Sequence, residues 1–142
     1  VWDSRDGHLL ITLGHPDTVN DVEFSPDGQQ ILTRNRDDGK AWIWNAANGS
    51  MLATLQDPSS NIRTARFSPD GRSIITANKE NEVRIWNSSD GTLMGSLQGH
   101  TANVWDARFS EDSQHIVTAS LDSTARVWQL VTLADIDKLL GH

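Results

Sequence analysis

The chain contains no cysteine and no tyrosine. Without thiols there is no disulfide, no thiolate nucleophile and no cysteine-based zinc site. A cysteine-free chain fits a cytoplasmic setting, which is the location expected. No stretch approaches the ~20 consecutive apolar residues that a membrane-spanning helix needs. Signal-peptide and lipidation motifs are not visible, although the first residue is Val and an upstream segment is left open. Basic charge is scarce: 12 Lys and Arg stand against 19 Asp and Glu, a formal net charge of −7. Polyanions demand a basic face, so neither nucleic acid nor an anionic membrane is an expected partner. Gly-rich phosphate loops and a Gly-x-Ser-x-Gly elbow are also missing.

What is present is a repeat, within a 142-residue length that fits one domain. Six Trp occur, and four of them, Trp2, Trp44, Trp86 and Trp128, are 42 residues apart. Leu13, Leu55, Leu97 and Leu139 keep the same interval, and Phe24, Phe67 and Phe109 nearly so. A period of about 40–45 residues is that of units with four short strands. Each unit opens on a segment ending at Phe24, Phe67 or Phe109. Its apolar positions (Val19, Val22 and Phe24; Ile62, Ala65 and Phe67; Val104, Ala107 and Phe109) do not follow strict alternation. A β-bulge is therefore expected in each copy.

Ser25-Pro-Asp-Gly28 follows, repeated as Ser68-Pro-Asp-Gly71 and degraded to Ser110-Glu-Asp-Ser113. Pro presets φ, Asp bonds its own backbone and Gly accepts positive φ, so each is a hairpin turn. A second strand comes at Ile31 to Thr33, Ile74 to Ala77 and Ile116 to Ala119. A third ends at each periodic Trp. Asn48-Gly49 and Asp90-Gly91 then lead into a fourth strand ending at Leu55 and Leu97. Residues 130–140 depart from the pattern. A strand over Asp137 to Leu140 is expected, against a helical face of Leu130, Leu133, Ile136, Asp137 and Leu140.

With Gly-His pairs at 14–15, 99–100 and 141–142, the Ser-Pro-Asp-Gly turns and Trp followed by Asp, Asn or Gln, the chain resembles the WD-repeat β-propeller family. The resemblance covers nearly the whole length. It implies an all-β fold of four-stranded antiparallel blades. About three are present, as part of a propeller of roughly six to eight or more blades. Residues 1–13 would be the end of a preceding blade, closing its third strand and supplying its fourth. Residues 14–55, 56–97 and 98–142 would be repeats 1 to 3, the second degenerate. Three units and a spare strand cannot form a ring, so further blades from the same chain or from other copies are expected.

The resemblance also implies a buried polar relay in each blade. In the first repeat its carriers would be His15, Thr33 or Asn35, Asp38 and Trp44. In the third they would be His100, Thr118 or Ser120, Asp122 and Trp128. In the second, Asp57 or a neighbour stands where His should be and Glu80 where Asp should be, while Thr76, Asn78 and Trp86 remain. That blade is expected to lack the relay and to be locally weaker. Ser or Thr, His and Asp in one relay mimic a hydrolase triad. Because the hydroxyl faces a Trp in every repeat, the structural reading is preferred and no catalytic residue is expected.

Partner binding is assigned to the face bearing the Gly-His loops, which this family presents to proteins. The residues there are Asn20, Asp21, Arg63, Thr64, Trp105, Asp106, Lys79 and Leu121, with Asp37 beside them. Trp105 is off the 42-residue register, and Trp and Arg are common interface anchors. Trp42, also off register, is read as packing between blades. Arg66, Arg108, Arg84 and Arg126 are read as packed stems with local ion pairs. His8 and His115 are read as isolated, and neither metal nor cofactor is expected. The resulting function is a non-catalytic protein–protein interaction scaffold. It would sit within a larger multidomain chain, similar to bacterial propellers attached to signalling or effector domains. Two alternatives stand beside it. One is an enzyme or metal-binding propeller in which Asp21, Asp37 and Asp106 hold calcium or magnesium. The other is a propeller piece that closes by self-assembly.

Overall fold

The computed structural model describes residues 1–58, 61–131 and 139–141. Eleven strands run in chain order through these residues. The first sheet is β1 (Asp21–Phe24), β2 (Gln30–Arg34), β3 (Lys40–Asn45) and β4 (Met51–Gln56). The second is β5 (Ile62–Phe67), β6 (Ser73–Asn78), β7 (Glu82–Asn87) and β8 (Leu93–Gln98). The third is β9 (Val104–Phe109), β10 (His115–Ser120) and β11 (Ala125–Gln129). Every pairing is antiparallel between neighbours in sequence, so each sheet is a plain meander. The fold is all-β, in three sheets.

The hairpin turns close through Ser25, Ser68 and Ser110. Each serine carbonyl accepts the N–H three residues on, at 2.9 Å in all three turns. Each serine hydroxyl donates to the Asp two residues on and accepts the N–H five residues on. Gly28 has φ +71°, which an L side chain resists, and Ser113 is held at +60° in the equivalent place. Register shifts mark bulges in β5, between Ile62 and Thr64, and in the β9–β10 pair opposite Ser120. The first copy differs from expectation. Pairing begins cleanly at Asp21 opposite Arg34, and Val19 lies outside the strand. Two further shifts, at Ile43/Trp44 and Ile85/Trp86, adjust the third strand to the fourth.

The sheets stack face to face. Leu32, Ala41, Ile43 and Leu55 of the first sheet pack on Ile62, Ala65, Phe67, Ile74 and Trp86 of the second. The opposite face of the second, Ile75, Ala77, Val83 and Ile85, packs on Val104, Ala107 and Ile116 of the third. Burying each large aliphatic or aromatic side chain contributes about 1.5–3 kcal/mol. The stack is therefore held by the faces between sheets rather than by any one sheet.

Residues 1–13 form a short hairpin, with one bridge between Trp2 and Leu9. The Leu10 N–H donates to the Val1 carbonyl at 2.9 Å. Val1 and Leu13 pack on Ile31, Trp42 and Trp44 of the first sheet. Trp42 is thus buried beneath this segment. Only the bridge and these bonds stand where a full strand from His8 to Leu13 was expected. Residues 132–138, and with them half of the strand expected over Asp137 to Leu140, lie outside the described residues, and the other half, Leu139 and Leu140, is not in a strand.

Candidate functional site

The histidine networks come first, because they decide whether the triad-like residues are open to substrate. In the third sheet, Trp128 Nε1 donates to Thr118 Oγ1 at 3.0 Å. Thr118 Oγ1 is 2.6 Å from His100 Nε2, and His100 Nδ1 is 2.8 Å from Asp122 Oδ2. A carboxylate only accepts, so Nδ1 carries the proton in a neutral ring and Nε2 receives the Thr hydroxyl. Thr118 is 1% exposed and its oxygen already accepts the indole N–H, so this hydroxyl does not face a cleft. Gly99 lets the loop close, since a Cβ there would lie 2.9 Å from Arg126 Nη1 and 3.2 Å from the Trp128 ring.

Asp122 also accepts the Thr124 hydroxyl and the Thr101 and Thr124 N–H groups. The Thr124 hydrogen bond foremost, helped by His100 and these N–H donors, holds its carboxyl well below the usual range. Ser120 stands apart from the relay. Its hydroxyl donates to the Ala102 carbonyl and accepts the Asp122 N–H.

In the first sheet His15 Nε2 lies 2.7 Å from Thr33 Oγ1, and Trp44 Nε1 donates to the same oxygen at 2.8 Å. Asp38 does not hold this histidine. Its carboxylate is engaged in its own turn, by the Lys40 N–H at 3.1 Å and the Lys40 ammonium at 3.8 Å. His15 Nδ1 instead meets the Leu13 carbonyl at 3.0 Å, an acceptor that serves the same tautomer. Asn35 keeps out of the relay and accepts the Asp37 N–H through Oδ1.

The second sheet has no histidine relay and carries a polar network of a different kind. Trp86 Nε1 still donates to Thr76 Oγ1, at 2.9 Å. Asp57, fully buried, takes the histidine's place and is paired with the Arg84 guanidinium. Asn78 Nδ2 lies 3.2 and 3.3 Å from the two Asp57 carboxylate oxygens. Arg84 also reaches Glu82 at 2.6 Å. The arginine supplies the positive charge that a buried carboxylate requires, and Glu80 is turned out to solvent.

The residues assigned to partner binding divide into two groups. Arg63 and Trp105 come together: the guanidinium carbon sits 3.9 Å from the centroid of the Trp105 ring. Trp105 is nevertheless 52% exposed, and Leu121, also 52% exposed, follows the next hairpin. Asn20 and Lys79 are exposed, Asn20 Oδ1 accepting the Arg36 N–H at 2.8 Å. Thr64, by contrast, is 4% exposed and belongs to the interior, because its strand is covered on both sides. Its hydroxyl, Asn61 Oδ1 and Arg63 Nε are buried polar atoms with no partner among the described residues.

The acids are occupied by arginines. Asp21 Oδ2 lies 2.7 Å from Arg66 Nη1 and 3.5 Å from Arg34 Nε. Burial pushes the Asp21 carboxyl up, and the hydrogen bond and charge of Arg66 outweigh it, leaving the group below its usual range. Arg34 Nη1 donates to the Ile62 carbonyl, tying the first sheet to the second. Asp106 is paired with Arg108 at 3.1 Å. Glu23 accepts the Phe67 N–H across the same junction. The acids of the alternative metal-holding reading, Asp21, Asp37 and Asp106, do not form a group of ligands among the described residues. The group that does converge among the described residues is Asp3, Asp6 and His8, with His8 Nδ1 2.6 Å from Asp6. Reading His8 as isolated missed this neighbour, although Asp6 is two residues away. His115 likewise lies 3.8 Å from Asp112.

A family model described as WD domain, G-beta repeat matches residues 6–45, 49–87 and 91–129. These units cut the period one strand ahead of the sheets. The second runs from β4 to β7 and the third from β8 to β11. Among known proteins, the chain is 44% identical over 54 residues to an uncharacterized WD repeat-containing protein of Synechocystis, covering 37% of this chain and 16% of that protein. It is 37% identical over 54 residues to Periodic tryptophan protein 2 of Saccharomyces cerevisiae, covering 38% and 6%. It is 34% identical over 67 residues to the Dictyostelium discoideum homolog of that protein, covering 46% and 7%. The matched stretches are thus a sixth or less of each relative's length.

Proposed function

The chain belongs to the WD-repeat family, and on that premise we propose that it is a non-catalytic protein-interaction module whose partner docks over Trp105 and Arg63. WD repeats are generally scaffolds that bind proteins without chemistry, and the residues conserved by the period here hold sheets together. The observation that carries the reading is the Arg63–Trp105 pair, in which the guanidinium of β5 lies against a ring on β9 that is itself 52% exposed. The blade does not need Trp105. Its counterparts in the other first strands are Asn20 and Arg63. An aromatic ring with a guanidinium on its face offers a partner both contact area and fixed donors at little entropic cost.

The favoured setting is a cytoplasmic, multidomain signalling or effector protein in which these repeats form part of a platform. The acids of the same face support this reading over a metal-holding one, because Asp21 and Asp106 are already neutralised by Arg66, Arg34 and Arg108. Affinity capture with the wild-type chain and with a Trp105→Ala, Arg63→Ala variant as baits tests the proposal. A partner held by the first and lost by the second, with unchanged circular dichroism, is the expected result. Equal recovery on both baits would place the docking face elsewhere.

A further inference from the structure

Asn48 is followed by Gly49, and no other asparagine of the chain precedes a glycine. An asparagine is lost when the next backbone nitrogen attacks its side-chain amide carbon, and a glycine leaves that nitrogen unshielded. Packing explains why the glycine stands here. Gly49 has φ +73°, and a Cβ on it would lie 2.6 Å from Ile11 Cγ2, so backbone and neighbour both exclude a side chain. Asn48 itself is exposed, in the hairpin between β3 and β4. This exposure belongs to the hairpin and not to the place of its sheet in the stack. Asp90, its counterpart, is exposed as well, although sheets lie on both sides of its own. The same hairpin holds the reacting groups apart. The Gly49 N–H donates to the Asn45 carbonyl at 2.8 Å, which occupies the attacking nitrogen. Asn48 Oδ1 accepts the Ser50 N–H at 2.9 Å, which directs the side-chain amide at Ser50 instead.

We propose that Asn48 is a spontaneous deamidation site gated by the fold: the hairpin must open before the Gly49 nitrogen can reach the Asn48 side chain. In the reaction a bond forms between that nitrogen and Asn48 Cγ, the Cγ–Nδ2 bond breaks, and ammonia leaves with the former amide proton. Water then opens the resulting imide ring at either carbonyl. One opening leaves an aspartate, and the other an isoaspartate whose main chain runs through the former side chain. The aspartate suits the turn, because Asp90 serves the equivalent one by accepting the Thr92 N–H and hydroxyl at 3.0 and 2.7 Å. The isoaspartate does not. It lengthens the backbone between Asn45 and Ser50, whose N–H···O bond at 2.8 Å closes the hairpin, and it displaces Gly49, which has no room against Ile11. Asp90-Gly91 forms the same ring only from a protonated carboxyl. The Thr92 N–H, helped by the Thr92 hydroxyl, holds that carboxyl below its usual range and so ionised.

Peptide mapping by mass spectrometry tests this on the whole chain, incubated at mildly alkaline pH both folded and in concentrated urea. Asn48 should convert ahead of every other asparagine in urea and give both products. In the folded chain its conversion should be at least about tenfold slower, the factor for a turn open in about one molecule in ten. Equal rates in the two conditions would refute the gate. Earlier conversion of another asparagine in urea would refute the site. Aspartate without isoaspartate would refute attack by the Gly49 nitrogen. Asn48→Gln would need a larger ring, so it should abolish conversion at this position in both conditions. Conversion that persists at the wild-type rate overturns the mechanism.

Discussion

Asp57 and Arg84, 27 residues apart in sequence, form an ion pair at the point where the flanking sheets place a histidine. The carboxylate is fully buried and the arginine nearly so. The pair therefore puts two opposite charges, which must be kept together, where the neighbouring sheets have an imidazole ring.

Removing the arginine should be the most damaging change in the second sheet. Arg84→Ala takes the guanidinium away from the fully buried Asp57 carboxylate, and breaking a buried ion pair by removing one partner costs about 3–5 kcal/mol. Urea denaturation is the measurement. Arg84→Lys should recover part of the loss, because an ammonium restores charge but not the fork that also reaches Glu82.

The threonine of the relay is the next test. Thr118→Val keeps the shape and strands both the Trp128 indole N–H and His100 Nε2 in the interior. Each buried group left unpaired costs about 1–3 kcal/mol. Thr33→Val should do the same between Trp44 and His15. An unchanged denaturation midpoint in both variants would show that these bonds contribute nothing net.

Backbone strain predicts a gain. Ser123 is held at φ +70° in a turn where the first sheet uses Gly39 at +67°. Ser123→Gly should stabilise by about 1 kcal/mol, read as a rise in melting temperature. Ser113, at +60°, is strained too, but its hydroxyl accepts the Asp70 N–H from the second sheet at 3.0 Å. Ser113→Gly should therefore gain less than Ser123→Gly.

Acid should unfold the chain through its turns and its relay. The carboxyls of Asp122, Asp27 and Asp112 are all held below their usual value, chiefly by the hydroxyls of Thr124, Ser25 and Ser110. A lowered folded-state pKa contributes stability above the unfolded value, which is lost as pH falls through the folded one. Stability should thus be flat near neutrality and decline below about pH 4. Asp122→Asn should flatten part of that decline while lowering stability at pH 7. An identical slope in wild type and variant would remove Asp122 from the account.

Local chemistry made much of this legible in the sequence. Ser-Pro-Asp-Gly needs only its own five or six residues to close, and a Trp every 42 residues announces one packing position used repeatedly. What was not legible depends on paths through space. Asp38 and Asp122 stand in equivalent places, yet only Asp122 reaches its histidine. His15 finds the Leu13 carbonyl instead because of how the incoming segment lies. Arg84 shares its position with Trp42 and Arg126, so no pattern announced that it would neutralise Asp57. Thr64 looked like a surface residue beside Arg63, and only the covering of its strand from both sides makes it interior.

The one-strand offset between family units and sheets has a mechanical consequence. The second and third units each give their first strand to one sheet and their other three to the next. A sheet therefore cannot be peeled off as a covalent block, because its outer strand is already the beginning of the following unit. Pulling on one end should load two adjacent sheets at once, and the stack should yield in overlapping pairs instead of one sheet at a time. A unit duplicated within such a gene arrives pre-stitched to both neighbours, which makes lengthening the stack easier than interrupting it.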